Sequence, residues 1–294
     1  MKSMMKRNTF REIKKSFGRY FAILAIVALG VAFFSGLKIT QSVMVHSADV
    51  YLKDLQFYDY RLVSTLGFTE ENVEALAEKE DVRAAEGAIS AEVLYKDAGE
   101  NERVIKMHSI TEKVNKLKLV AGEMPQSADE CVVDSALFSE DAIGSKLVLS
   151  ENNTTDDLDK FAYKEYTITG LVQSPCYIQF ERGNTSIGNG RISGFAYILK
   201  DGFAVDYDTE IYIKFDEDYD IYSDEYDSYM DAKEADWEAY TKEQADIRYE
   251  KIVKDAQDEL DEKKEELEEK RAEAEAELES AKQQLTDGEK EISD

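Results

Sequence analysis

The chain begins basic, becomes wholly apolar, then alternates in short runs, and ends as a long charged helical pattern. Tyr20 to Leu37 reads YFAILAIVALGVAFFSGL, 18 residues without a charge. At ~1.5 Å rise per residue this predicts a helix of about 27 Å, close to the ~30 Å of bilayer hydrocarbon. It lacks the polar stripe of a soluble amphipathic helix. Upstream, Phe10, Ile13, Phe17 and Tyr20 fall at helical spacing with Lys and Arg between them. That pattern fits a helix lying on the inner leaflet, or equally topogenic charge with no ordered helix. After Ile39 the helical pattern continues to about Lys53.

The next stretch predicts mixed elements. Tyr60–Thr65 alternates as a strand. Thr69 followed by Glu70, Glu71 and Asn72 marks a helix start, with Val73, Leu76 and Ala77 as its apolar stripe and an end near Asp81. Ile89–Tyr95 and Arg103–Ser109 read as strands flanking the turn Asp97-Ala98-Gly99-Glu100. Further strands are expected at Glu130–Asp134, Lys146–Leu149, Tyr166–Leu171, Gly194–Leu199 and Glu210–Phe215. From Tyr226 on, Gly and Pro vanish apart from Gly288, and helix formers dominate. A heptad seam runs through Val253, Leu260, Leu267, Ala274 and Ala281. Its second row is Gln257, Lys264, Arg271, Leu278, Leu285 and Ile292, polar until Leu278. This region is either a coiled-coil arm, one half of a hairpin for instance, or a charged single helix acting as a spacer.

Charge sharpens the picture. The 294 residues carry 36 Lys+Arg against 63 Asp+Glu, a net charge of -27. Residues 1–38 oppose this trend, with Glu12 as their one acid. Lys6, Arg7, Arg11, Lys14, Lys15 and Arg19 precede the apolar run, so the positive-inside rule places the N-terminus in the cytoplasm and residues after about 40 outside. Tyr20, Phe21, Leu24, Val27, Leu29, Val31, Phe33, Phe34 and Leu37 are the expected membrane-anchoring side chains. The run is longer than a signal peptide's apolar core, and no clear A-x-A site follows, which favours an uncleaved anchor. The acidic balance argues against nucleic acid as a partner. A hydrophobic share of 43% argues against a disordered chain.

Chemical motifs are sparse. There is no G-x-x-x-x-G-K-[ST], H-E-x-x-H or G-x-S-x-G, so no cofactor or catalytic residue is expected. Gly188, Gly190 and Gly194 are off the dinucleotide spacing and read as loop and bulge punctuation. Asp216-Glu217-Asp218-Tyr219-Asp220 is oxygen-rich, but Ile221 stands where a calcium loop needs Gly and Asp227 where it needs Glu. Solvated acids are the plainer reading. Two Cys and two His exclude a Cys/His zinc cluster. Cys131 and Cys176 could pair outside the cell only with Cα atoms within ~7 Å. The tyrosines from Tyr207 to Tyr229 read as packing and edge positions rather than an aromatic binding surface.

Several segments in order carry a resemblance. Residues 10–40, FREIKKSFGRYFAILAIVALGVAFFSGLKIT, look like the opening of FtsX-like ABC-transporter permeases. FYDYRLVSTLGFTEENVEAL (57–76) is similar to the start of the MacB-type periplasmic core domain. So are Ala121-Gly122-Glu123-Met124-Pro125 with Glu130, Ile143-Gly144-Ser145-Lys146-Leu147, and YTITGLVQSPCYI (166–178). GNTSIGNGRISGFAYI (183–198) resembles a branch found in Gram-positive members. The resemblance covers roughly residues 7–215. It implies a non-enzymatic permease subunit working with a separate cytoplasmic ABC ATPase, whose ATP cycle moves the membrane helices and, through them, the outer domain. It leaves open whether the outer partner is a peptide, a lipoprotein or a cell-wall component, and whether the subunit forms a homodimer. Family members have four or more membrane helices and the pattern here predicts one, so the chain is expected to be an N-terminal portion of a permease or a truncated product.

These readings give an α+β extracytoplasmic domain on a single N-terminal transmembrane helix, followed by a long acidic helix or coiled coil. The expected segments are a basic cytoplasmic head at 1–19, the membrane helix at 20–40, the outer domain at 41–225 and the arm at 226–294, its seam at Val253, Leu260, Leu267, Leu278 and Leu285. Expected partners are membrane lipid, the ATPase and the outer ligand. The alternative is a single-span anchored scaffold or adhesion protein. An extracytoplasmic enzyme would require carboxylates such as Glu86 and Glu92 to converge in one pocket.

Overall fold

The computed structural model describes residues 2–97, 99–217 and 219–293, with side-chain surroundings for 4–285 apart from Ala98 and Asp218. Helix α1 spans Lys2–Lys15 and α2 spans Phe17–Asp54, separated by a break at Ser16. Among the described residues, α2 is the one helix long and apolar enough to cross a membrane, and none of its most apolar window is buried. It runs on without interruption well past Leu37, following the helical pattern that continues toward Lys53.

Two sheets follow. The smaller joins β1 (Tyr60–Phe68), β2 (Val82–Ala88) and β10 (Asp208–Phe215), with β10 central and both pairings antiparallel. Helix α3 (Glu70–Ala77) opens with a capping box in which Thr69 and Asn72 satisfy each other's backbone N–H. Its Leu76 is buried with Leu62, Ile211, Ile213 and Phe215.

The larger sheet is built from β3 (Ser90–Lys96), β4 (Glu102–Ser109), β5 (Lys118–Gly122), β6 (Glu130–Asp134), β7 (Lys146–Leu149), β8 (Glu165–Gln173) and β9 (Ile192–Ile198), in the order β5-β8-β6-β9-β4-β3-β7. Because β7 also pairs with the first residues of β8, six strands close into a ring. Alternate residues of every ring strand enter one apolar cluster, including Val93, Ile105, Val133, Leu147, Ile168 and Ile198. That period-two pattern is what a closed sheet with a filled interior requires. Strand β5 extends the ring along the second half of β8. The two chains come so close there that Gly122 (φ +78°) and Gly170 leave no room for a Cβ, which would strike the backbone of the opposite strand.

Helix α4 (Thr155–Leu158) is a single turn before β8, and helix α5 spans Asp224–Ser293. Its first turns belong to the small sheet. Trp237 is only 4% exposed and packs with Phe215 and Tyr60, while Tyr229, Met230 and Tyr240 add to the same cluster. Lys233 pairs with Asp81 at 2.5 Å, and Asn72 donates to Gln244 at 3.0 Å. Beyond Arg248, which reaches the Leu66 carbonyl, the described apolar seam residues are exposed.

Candidate functional site

The site that the fold assembles is the junction where α2 enters the outer domain. Asp49, near the outer end of α2, is buried yet charged-paired. It binds Lys53 at 3.0 Å and accepts the Ile221 N–H at 3.1 Å. Lys53 also binds Asp220 at 2.7 Å, and those contacts hold the lysine above its ordinary pKa. The carbonyls of Leu55 and Gln56, just past the helix end, accept from Lys116 and Asn115 at 2.8 and 2.9 Å. The Tyr58 N–H in turn donates to the Asn115 carboxamide. Two distant loops therefore grip one helix end by its backbone and charges.

Beside this grip lies a cleft of about 460 Å³, walled by Ser47, Ala48 and Tyr51 of α2 and by the segment after β8. Its floor is a buried ion pair. Arg182 makes a two-pronged bond to Asp134, at 2.7 and 3.0 Å, and donates to the Tyr177 and Gln179 carbonyls. The guanidinium lies over the rings of Phe195 and Tyr177, whose faces stack 4.4 Å apart. At the rim Phe180 is 97% exposed and Ile178 is also exposed. The arrangement can take an apolar or aromatic group against the rings, with polar backbone at its edge.

Behind the floor runs a chain of buried polar side chains. His108 meets the Tyr177 hydroxyl at 2.6 Å and stacks on Tyr197, whose hydroxyl meets Ser174 at 2.8 Å. Burial drives the His108 pKa down to about 3, so the ring is neutral, and drives the Cys176 thiol up to about 11. Glu210 sits in the same junction, between the two sheets. Burial opposes its charge, but hydrogen bonds from Ser90 and Tyr212, together with Arg61, outweigh this and hold the carboxyl below its ordinary value.

The sequence-singled residues fall as follows. Glu86 and Glu92 do not converge: Glu86 accepts the N–H groups of Glu112, Lys113 and Val114, and Glu92 accepts the Thr185 hydroxyl. Cys131 and Cys176 are both free thiols. Gly188 and Gly190 adopt positive φ in a loop. Of the acidic run, Asp218 lies outside the described residues, Asp220 pairs with Lys53, and the Asp216 carbonyl accepts from Arg83. The turn residue Ala98 also lies outside the described residues, as do the side chain of Ile292 and the surroundings of Gly288. Tyr212 and Tyr229 pack inward, whereas Tyr219, Tyr222 and Tyr226 line a 240 Å³ pocket beside Phe57 and Tyr58. Lys6 to Lys15 sit on exposed α1, and Arg19 with the anchoring set from Tyr20 to Leu37 lies exposed along α2. The junction itself was not expected from the sequence. Its one legible signal is the Asp49–Lys53 pair, four residues apart near the end of the helical pattern.

No protein-family model matches the chain, and no curated protein matches it. Solved structures do. The extracellular domain of the noncanonic ABC-type transporter YknZ from Gram-positive bacteria matches at TM-score 0.35 and 12% identity, over 52% of this chain and 76% of that one. The periplasmic region of MacB from Actinobacillus actinomycetemcomitans matches at TM-score 0.34 and 14% identity, over 54% and 69%. A domain of a putative permease protein from Porphyromonas gingivalis matches at TM-score 0.31 and 14% identity, over 53% and 63%.

Proposed function

We propose that the chain is a permease subunit of an ABC-type transporter or mechanotransmission complex of the FtsX-like kind, anchored through residues 20–40 with its outer domain on the extracytoplasmic side. The observation that carries this is the continuity of α2. One helix runs from the basic head through the apolar span and ends gripped by two loops of the outer domain. Motion imposed on the span from the cytoplasmic side arrives at the cleft without an intervening linker. The sequence resemblance over residues 7–215 supplies the partner, a separate ATPase, and the outer domain supplies the ligand or protein contact. Residues 226–294 form the arm, rooted on the small sheet.

The test is co-purification of the membrane-extracted protein with candidate ATPases, followed by ATP hydrolysis assays in lipid nanodiscs. The expected result is a stable complex whose hydrolysis responds to the permease, with Asp49→Ala and Lys53→Ala leaving the complex intact but blunting that response. Absence of any ATPase partner, or recovery of the intact chain in the soluble fraction after ultracentrifugation, overturns the reading.

A further inference from the structure

Tyr219 and Tyr222, between β10 and α5, and Tyr226 in the first turns of α5 share the 240 Å³ pocket with Phe57 and Tyr58, which link α2 to β1. The Phe57 and Tyr58 rings lie 4.4 Å apart, and the Tyr219 ring stands 5.5 Å from that of Tyr229. Two distant segments thus bring five aromatic side chains to one small cavity. Tyr222 is the unusual member. Its φ is +62°, a left-handed conformation that costs a bulky residue energy, and it is 79% exposed. Neither burial nor backbone preference accounts for a tyrosine there. A ligand seated under its ring does.

The charges around the cavity select that ligand. Two lysines border it, and both are already matched. Lys214 binds Asp59 at 2.9 Å, and Lys53 lies between Asp49 at 3.0 Å and Asp220 at 2.7 Å. Glu217 and Asp227 border it too, are exposed, and make no ion pair among the described residues. Two cations therefore stand among five carboxylates, and an anion would meet net repulsion. The Tyr226 hydroxyl feels the same field. Burial first, then Asp59 and Asp227, push its pKa up to about 12, so this wall stays uncharged. Aromatic faces carry negative potential and attract cations, quaternary ammonium groups above all. A methylated ammonium presents its methyl groups to the rings and its charge to the acids. The volume fits a group of that size, being smaller than the ~300–1,000 Å³ of sites for drug-sized ligands.

Position decides between two sources of such a group. Leu52 of α2 borders the pocket and stands 15 residues past Leu37, where the apolar run ends. At ~1.5 Å per residue that is about 22 Å along the helix, well outside a head-group layer of ~5–8 Å. A lipid seated in the bilayer does not reach it, given the anchoring proposed above. We propose that this pocket binds a small, soluble, methylated ammonium compound, held by the faces of Tyr219, Tyr222 and Tyr226 and by the carboxylates of Glu217 and Asp227.

The test is equilibrium dialysis of radiolabelled choline against the full chain in phosphatidylglycerol nanodiscs. Competitors are tetramethylammonium and dimethylbutanol, the uncharged carbon isostere of choline. Choline should bind saturably, tetramethylammonium should displace it, and the alcohol should compete at least about tenfold more weakly. Tyr222→Ala should weaken choline binding about tenfold, and Tyr222→Phe should hold it within about twofold. The side chain is exposed, so neither change threatens the fold. Glu217→Gln with Asp227→Asn should weaken binding at low salt and remove most of its salt dependence. Phosphatidylcholine nanodiscs should give the same affinity. No saturable binding, equal competition by the alcohol, full affinity in Tyr222→Ala, or weaker choline binding in phosphatidylcholine nanodiscs overturns the proposal. None of these outcomes bears on ATPase association, which is measured separately.

Discussion

His108 offers the most direct check on the buried junction. The ring is 5% exposed, its Nε2 bonds the Tyr177 hydroxyl, and burial lowers its pKa from 6.5 to about 3. The unfolded chain takes up a proton on this residue below pH 6.5, whereas the folded chain does not until about pH 3. Stability must therefore fall as pH falls through that window, by ~1.4 kcal/mol per unit once well below 6.5. Between pH 7 and pH 5 the loss from this residue is about 2 kcal/mol. Glu210 acts only at lower pH, so it does not confuse this interval. Trp237 is the chain's one tryptophan and is buried beside the small sheet, which makes its fluorescence a reporter of the folded domain. Urea titrations in detergent at both pH values should show His108→Gln losing about 2 kcal/mol less than the parent on acidification, whatever its stability at pH 7. Equal losses in the two proteins would show that the imidazole is not held neutral by its surroundings.

Other outcomes follow from the same structure. Glu210, with its carboxyl held low, contributes stability that is complete above pH 4.5 and fades as pH falls through its folded value; Glu210→Gln should flatten the stability curve between pH 5 and 3 in the same titrations. Arg182→Leu leaves Asp134 buried and uncompensated and should cost about 3–5 kcal/mol by thermal melting, with much of that regained in the Asp134→Leu, Arg182→Leu double variant. Trp237→Ala should cost about 3 kcal/mol and raise amide exchange over residues 229–245, releasing the root of the arm while leaving the ring core protected.

Much of the domain could be read from the chain because its strands alternate cleanly. Tyr60–Thr65, Glu130–Asp134 and Lys146–Leu149 lie within or match the observed strands. Strand β2 was missed because Val82–Ala88 is mostly Ala, Gly, Glu and Arg, residues with weak strand preference. It is held extended by β10 on one side and by α3 packed over it. Strand β5 was missed because five residues with three exposed apolar or small side chains give no period. The junction was illegible for a different reason. His108, Asp134 and the Tyr177–Arg182 segment are separated by long stretches of sequence, and the parallel pairing of β4 with β9, alongside β6, brings them together. Composition likewise does not mark where α5 stops packing. The docked turns and the free turns share the same charged, helix-forming residues, and only Tyr229, Trp237 and Tyr240 betray the contact.

The unbroken run of α2 from Phe17 to Asp54 has a mechanical corollary. The middle of its apolar stretch lies near Leu29, and Asp54 stands about 38 Å farther along the axis at ~1.5 Å per residue. With no hinge between, a ten-degree tilt at the bilayer centre swings the outer tip sideways by about 6–7 Å, far more than the cleft's wall could follow while its hydrogen bonds to Asp49 and Leu55 hold the rest of the domain still. On the proposed function the helix is a lever, and the domain either swings with it as one body or opens along the cleft.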